Sequence, residues 1–138
     1  MNFFFISIFM LLNILTFAQD TKTKTTPKSA ITQDVAADAL KYSDNSKEEE
    51  ITLDGKDVLI TGNENKITFK GSIGKIVITG KNNDITIVSV KQIIVPGSGN
   101  FVSWEKSDNT GGKPVIQDKG GYNNIERRSD NAMDRSDN

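Results

Sequence analysis

Val58-Leu59-Ile60-Thr61-Gly62-Asn63-Glu64-Asn65-Lys66-Ile67-Thr68-Phe69 is followed by Ile76-Val77-Ile78-Thr79-Gly80-Lys81-Asn82-Asn83-Asp84-Ile85-Thr86-Ile87. A third line reads Ile93-Ile94-Val95-Pro96-Gly97-Ser98-Gly99-Asn100-Phe101-Val102-Ser103-Trp104. Each line is a short apolar strand, a Gly-x-x-Asn turn and a second short strand. Gly62, Gly80 and Gly97 are spaced by 18 and then 17 residues, and Asn65, Asn83 and Asn100 follow each by three. Gly120 with Asn123 forms a fourth, degenerate unit, and Ile51-Thr52-Leu53-Asp54-Gly55 reads as a partial unit before the set. A fixed period with β-branched alternation predicts an all-β fold, a short parallel β-solenoid of about three to four coils. One coil cannot bury its apolar side chains alone. Coils stacked about 4.8 Å apart build parallel sheets around a continuous core. An antiparallel β-meander, each Gly-x-x-Asn closing a hairpin, is the alternative.

Alternation assigns the faces. Val58 and Ile60, Ile76 and Ile78, and Ile93 and Val95 are expected inward before the turns. Ile67 and Phe69, Ile85 and Ile87, and Val102 and Trp104 are expected inward after them. Gly62, Gly80, Gly97 and Gly120 are read as structural turn positions, because Gly reaches positive φ without steric cost. Asn65, Asn83, Asn100 and Asn123 are read likewise, since Asn tolerates the left-handed region and can build a hydrogen-bonded ladder between coils. Leu59, Val77 and Ile94 alternate with inward residues and so form an outer apolar stripe, the candidate interaction surface for a protein partner or a second copy. Such a stripe needs a cover, and Ile31, Val35 and Leu40 on an N-terminal helix are the expected candidates.

Around this centre the chain divides simply. Residues 1–18 carry an apolar run, Phe3 to Phe17, with small residues before a cut after Ala18, the pattern of a signal peptide. No Lys or Arg precedes the run, and the alternative is an uncleaved anchor, the only membrane contact expected. Residues 19–50 read as a polar linker containing one short helix over 30–42, from Ile31, Val35, Ala36, Ala39 and Leu40 at helical spacing. The solenoid is assigned to 51–125, with Tyr122 and Ile125 closing the last coil. Residues 126–138 read as a disordered tail.

Composition narrows the chemistry. The 138 residues hold no Cys and no His, and the formal net charge is −1. The absent residue types remove disulfides, Cys nucleophiles and the commonest general base and metal ligand. No basic stripe points to nucleic acid. Asp118, Asp130 and Asp134 lack calcium-loop spacing, so no cofactor or metal is expected. Lys66, Lys70, Asp84 and Glu64 are the charged groups an enzyme of the solenoid polysaccharide-processing type would use, but few of them stack as a pair at a plausible acid/base separation.

The repeated Ile-x-Ile-x-Gly-x-x-Asn-x-Ile units behind an export signal resemble the domain-of-unknown-function 3060 family, small secreted bacterial repeat proteins, over residues 51–125. The resemblance implies a small exported β-solenoid and supplies no catalytic residues. The chain departs from the pattern at Pro96, at Val102 and Trp104, and at Asp118. The expected function is a non-catalytic structural or binding module of the cell envelope, in the periplasm or outside the cell. The alternative is a glycan-binding or polysaccharide-processing β-helix.

Overall fold

A computed structural model describes residues 35–128. The expected signal segment, the start of the expected helix with Ile31, and the tail beyond Arg128 lie outside the described residues.

Among the described residues seven strands run in chain order: β1 (Leu40–Tyr42), β2 (Glu48–Ile60), β3 (Lys66–Ile78), β4 (Asp84–Val95), β5 (Phe101–Lys106), β6 (Val115–Asp118) and β7 (Asn124–Arg127). Their order is β1-β2-β3-β4-β5-β7, with β6 beside β4. Every pairing is parallel, which rules out the meander, whose neighbouring strands would be antiparallel. The chain winds through about four solenoid turns. β2, β3 and β4 each serve two coils: the first half follows one turn of the regular edge, and the second half leads to the next. β5 and β6 are one such strand cut in two by residues 107–114. Accordingly β4 pairs with β5 through its first half and with β6 through its second.

The register follows the repeat. Lys66, Asp84, Phe101 and Asn124 stand in one row, and Ile67, Ile85, Val102 and Ile125 in the next. All twelve residues expected inward are buried, and they form one hydrophobic cluster with Tyr42, Ile73 and Val90. Ile73 and Val90 add a third inward row at the corner opposite the turns. That corner is less regular. Pairing is interrupted between Asp54 and Val58 and again between Phe69 and Ser72.

The N-terminal region differs from the reading above. Residues 35–42 contain no helix. They hold a turn, closed by Ala39 N–H donating to Ala36 O, and then strand β1. Leu40 and Tyr42 stack on Val58 and Ile60 as the first coil. The weak helical preference of an Ala-rich stretch, marginal for so short a helix, loses to parallel pairing that covers the end of the core. The solenoid therefore starts at Leu40, and its first turn is Asp44-Asn45-Ser46-Lys47. The expected partial unit ending at Gly55 belongs to the opposite corner of the same coil. At the other end β7 carries the fold to Arg127, just into the stretch read as tail. Ile125 is half-buried on the core, but Tyr122 is 98% exposed and closes nothing.

Candidate functional site

Five turns lie in register along one edge: Asp44 to Lys47, Gly62 to Asn65, Gly80 to Asn83, Gly97 to Asn100 and Gly120 to Asn123. Asn65, Asn83 and Asn100 are buried, as a ladder requires. The side-chain oxygen of Asn83 accepts from the backbone N–H and the side-chain amide of Asn65, at 3.0 and 3.1 Å. Asn83 Nδ2 donates to Gly62 O at 3.0 Å and to Asn100 Oδ1 at 3.0 Å. Asn100 repeats the pattern with Gly80 O and Asn123 Oδ1. At the start, Lys47 N–H donates to Asn65 Oδ1 and Asn65 Nδ2 to Asp44 O. At the finish, Asn123 Nδ2 donates to Gly97 O and to Asp118 Oδ1. Asp118, the departure from the repeat pattern, is thus the ladder's terminal acceptor. A buried amide needs every polar atom partnered, and this ladder supplies the partners from rung to rung.

The glycines are required for a different reason from the one expected. Positive φ falls two residues later in each turn, at Ser46, Glu64, Asn82, Gly99 and Tyr122. Gly62, Gly80, Gly97 and Gly120 instead approach the preceding rung closely. A Cβ at Gly80 would overlap Gly62 O, one at Gly97 would overlap Gly80 O, and one at Gly120 would overlap Gly97 O. The ladder asparagines do not occupy the left-handed region either; their side chains, not their φ, fix the residue type.

Sequence reasoning missed several supporting groups. Thr61 and Thr79 hydroxyls donate to Tyr42 O and Ile60 O. Asn45 Oδ1 accepts from Asn63 N–H, and Asn63 Oδ1 from Lys81 N–H, forming an exposed second row. Asp57, at the opposite corner, accepts from Lys75 N–H at 2.8 Å and from Ala36 N–H at 3.1 Å, which ties the chain before β1 to the solenoid. The repeated Thr-Gly dipeptide was a usable signal for the threonines. Asp57 has no counterpart in the other units and gave none.

The outer surfaces carry the remaining candidates. Leu59 and Val77 stand in one row with Ile94 and lie outside the core cluster, as an outward stripe must. They are nevertheless only 6% and 2% exposed, and Ile94 is half-buried. The stripe is therefore not an open patch, and the helix expected to cover it is absent over residues 35–42. On the other outer face Lys66 pairs with Glu48 at 2.7 Å, and Lys70 with Glu50 at 2.6 Å. The hydrogen bond and charge of Glu48 hold the Lys66 ammonium above its ordinary range. Glu64 accepts from the Ser46 hydroxyl. Asp84 stands beside Lys66 in the next rung and its charge adds to the upward shift of that ammonium, so the charges considered for an enzyme are engaged between neighbouring rungs. Among the described residues no three acids lie close enough together to hold a metal ion.

A shallow groove of about 300 Å³ follows the irregular corner, lined by Leu53, Asp54, Gly71, Ser72, Val88, Ser89, Lys106 and Asp108. Asp54, Ser72, Ser89 and Lys106 are one register row. Ser89 is buried and its hydroxyl has no hydrogen-bond partner. At the C-terminal end Arg127 lies 5.5 Å from the centre of the Trp104 ring and donates to Glu105 O, so Trp104 is an inward, capped residue as its alternation implies.

Parallel rungs, an inward β-branched core and a buried asparagine ladder define the class: a short β-solenoid repeat protein. Residues 60–121 match the model of a family described as a protein of unknown function (DUF3060), which bears out the resemblance drawn from the repeated units. No curated protein and no solved structure matches the chain.

Proposed function

We propose that this chain is an exported, non-catalytic structural or binding module of the bacterial cell envelope. The observation that carries the reading is how the repeated polar residues are used. Asn65, Asn83 and Asn100 are buried and bonded to one another and to the preceding rung. The motif that looks most like a binding signature is consumed by the fold. What remains for an outside partner is a rigid lateral surface held at fixed spacing, which suits scaffolding or recognition. The apolar run of residues 3–17, ending in a small-residue cut at Ala18, supports export.

Two measurements test this. Fractionation of expressing cells, with N-terminal sequencing of the exported form, is expected to give a chain starting at Gln19; retention of the full chain in the cytosol sinks the export claim. A panel of polysaccharides is expected to stay intact. Cleavage of any of them, abolished by Asp84→Asn or Lys66→Ala, would overturn the non-catalytic claim. Glycan binding is the second reading, favoured by the groove at the irregular corner, whose serine and carboxylate rim suits hydroxyl recognition. Its volume sits at the low end for ligand sites, about 300–1,000 Å³. Saturation-transfer NMR with neutral and acidic monosaccharides tests it, and no transfer to any of them removes it.

A further inference from the structure

A parallel solenoid has two open ends, and each is a strand edge on which another coil can stack. The C-terminal end of this chain is receptive by its chemistry. Ile116 is 42% exposed and Ile125 half-buried, both at inward positions with no described rung above them. Asn123 and Gly120 there present the N–H and C=O that every earlier rung satisfies with the next Asn.

In the row of Ile116 the N-terminal end keeps an apolar residue, Leu40, but it breaks the pattern at the turn and in the row of Ile125. Asp44 stands where the other rungs have Gly. A Cβ at any of those glycines would overlap the carbonyl of the rung before it, so the Asp44 side chain projects into the space where a stacked rung would place that carbonyl. Lys47 stands where the other rungs have Asn, and it offers neither the acceptor nor the amide donor that bridges rungs. Glu49 stands in the inward row over Ile67, where a stacked Ile125 would bury its carboxylate against an apolar surface. Glu50 shares the row of Thr68, Thr86, Ser103 and Glu126, so stacking would set two carboxylates face to face. An inward-pointing charge is a recognised way to blunt a strand edge.

We propose that the first coil is a stop that bars a second copy of this chain from stacking head-to-tail on the C-terminal coil. The stop matters because such a contact is heterologous and does not close: one copy added in register presents the same free end again, and the product is a fibre. Four substitutions relative to the repeat, confined to one rung, remove that route while the remaining rungs keep the interlocking chemistry that makes it attractive. The inference concerns self-association and does not rest on the proposed function.

The test reverses the stop by giving the first rung the residues of the others at three of the four positions, with Glu50 kept in its ion pair with Lys70. Full-length wild type and the triple variant Asp44→Gly, Lys47→Asn, Glu49→Ile are compared by sedimentation velocity across a tenfold concentration range, with far-ultraviolet circular dichroism confirming β structure. Wild type is expected to sediment as one species, and the variant as a series of multiples growing with concentration. Adding Ile125→Lys to the variant is expected to return it to the wild-type profile. A folded triple variant that sediments like wild type overturns the proposal, as does assembly that Ile125→Lys leaves intact. Should the triple variant not fold, Glu49→Ile alone and the pair Asp44→Gly, Lys47→Asn take its place. Concentration-dependent association of either, reversed by Ile125→Lys, supports the stop, and its absence in both overturns it.

Discussion

The two corners of each coil are built to opposite rules. The Gly-x-x-Asn corner repeats its chemistry rung after rung, and its buried amides bond from Asn65 through Asn83 and Asn100 to Asn123. The opposite corner changes at every level: Gly55 and Gly71 adopt positive φ, pairing is interrupted around Asp54 to Val58 and Phe69 to Ser72, and residues 107–114 are inserted. The first corner therefore sets the spacing and registration of the coils. The second absorbs differences in coil length, from 18 to 17 residues between successive turn glycines and then 23 between Gly97 and Gly120. A solenoid needs only one corner to be exact. The free corner is where a groove opens, because nothing there forces side chains into identical stacks.

The largest test of this contrast is a pair of glycine substitutions. At the regular corner a methyl group on Gly80 would collide with Gly62 O, which is backbone held in the core of the stack. Gly80→Ala is expected to cost more than about 4 kcal/mol, at the exceptional end for a single substitution, or to prevent folding. At the free corner Gly55 has φ +71 and nothing within 4 Å of the added carbon. Gly55→Ala is then charged only for the left-handed backbone, about 1–2 kcal/mol. Urea unfolding followed by circular dichroism measures both. Equal costs would mean that close approach does not define the regular corner.

A smaller pair compares the hydrogen-bond anchors. Asn83→Ala strands Asn65 N–H and Gly62 O and removes one of the two bonds of Asn65 Nδ2, all within a buried edge. With about 1–3 kcal/mol for each buried group left unsatisfied, and some relaxation, the expected loss is roughly 3 kcal/mol or more. Asp57→Ala removes two bonds, to Lys75 N–H and Ala36 N–H, where water can enter. About 1–2 kcal/mol is expected there. A cost at Asp57 equal to that at Asn83 would show that the free corner is as tightly specified as the ladder.

How much of this was legible in the sequence follows the same division. The period, the inward rows from Val58 to Trp104 and the positions of the turn Gly and Asn are visible because each repeats, and repetition separates geometry from chance. The physical cause of the glycines was not visible, since close approach between rungs depends on the stacking itself; the sequence suggests positive φ, which falls at Glu64 and Asn82 instead. The first rung was hidden because it departs from the repeat where the stack must end: Asp44 and Lys47 replace Gly and Asn. Its strand at Leu40 to Tyr42 sits in an Ala-rich stretch whose local preference points to helix. Tertiary pairing to Val58 and Ile60 overrides that preference. At the candidate site, the stripe was legible from alternation, but its burial depends on what packs over it and has no local signal.

A third prediction concerns that first rung and is read in pH. Burial, and then the charges of Glu49 and Asp44, push the Tyr42 phenol above its ordinary value. The fold holds the neutral form, while the unfolded chain ionises near about pH 10. Stability from this group is therefore complete below that pH and falls as pH rises through it toward the raised folded value. Thermal unfolding from pH 8 to pH 11 is expected to show a decline that is weaker in Tyr42→Phe. Parallel declines in the two proteins would place the alkaline sensitivity elsewhere.

The smallest expected effect is the sharpest on the nature of the free corner. Ser89 is buried there with an unpartnered hydroxyl, a situation the regular corner does not tolerate for any of its amides. An unpaired buried hydroxyl has already lost its water without compensation, so its removal forfeits no bond inside the protein. Ser89→Ala is expected to leave the urea midpoint unchanged or raise it slightly, by up to about 0.5 kcal/mol in stability. A loss above about 1 kcal/mol would mean that the hydroxyl is satisfied by a bound water, which would make this corner a polar, hydrated feature in its own right. The groove beside it would then be shaped by hydration, and a ligand entering it would have to displace or use that water.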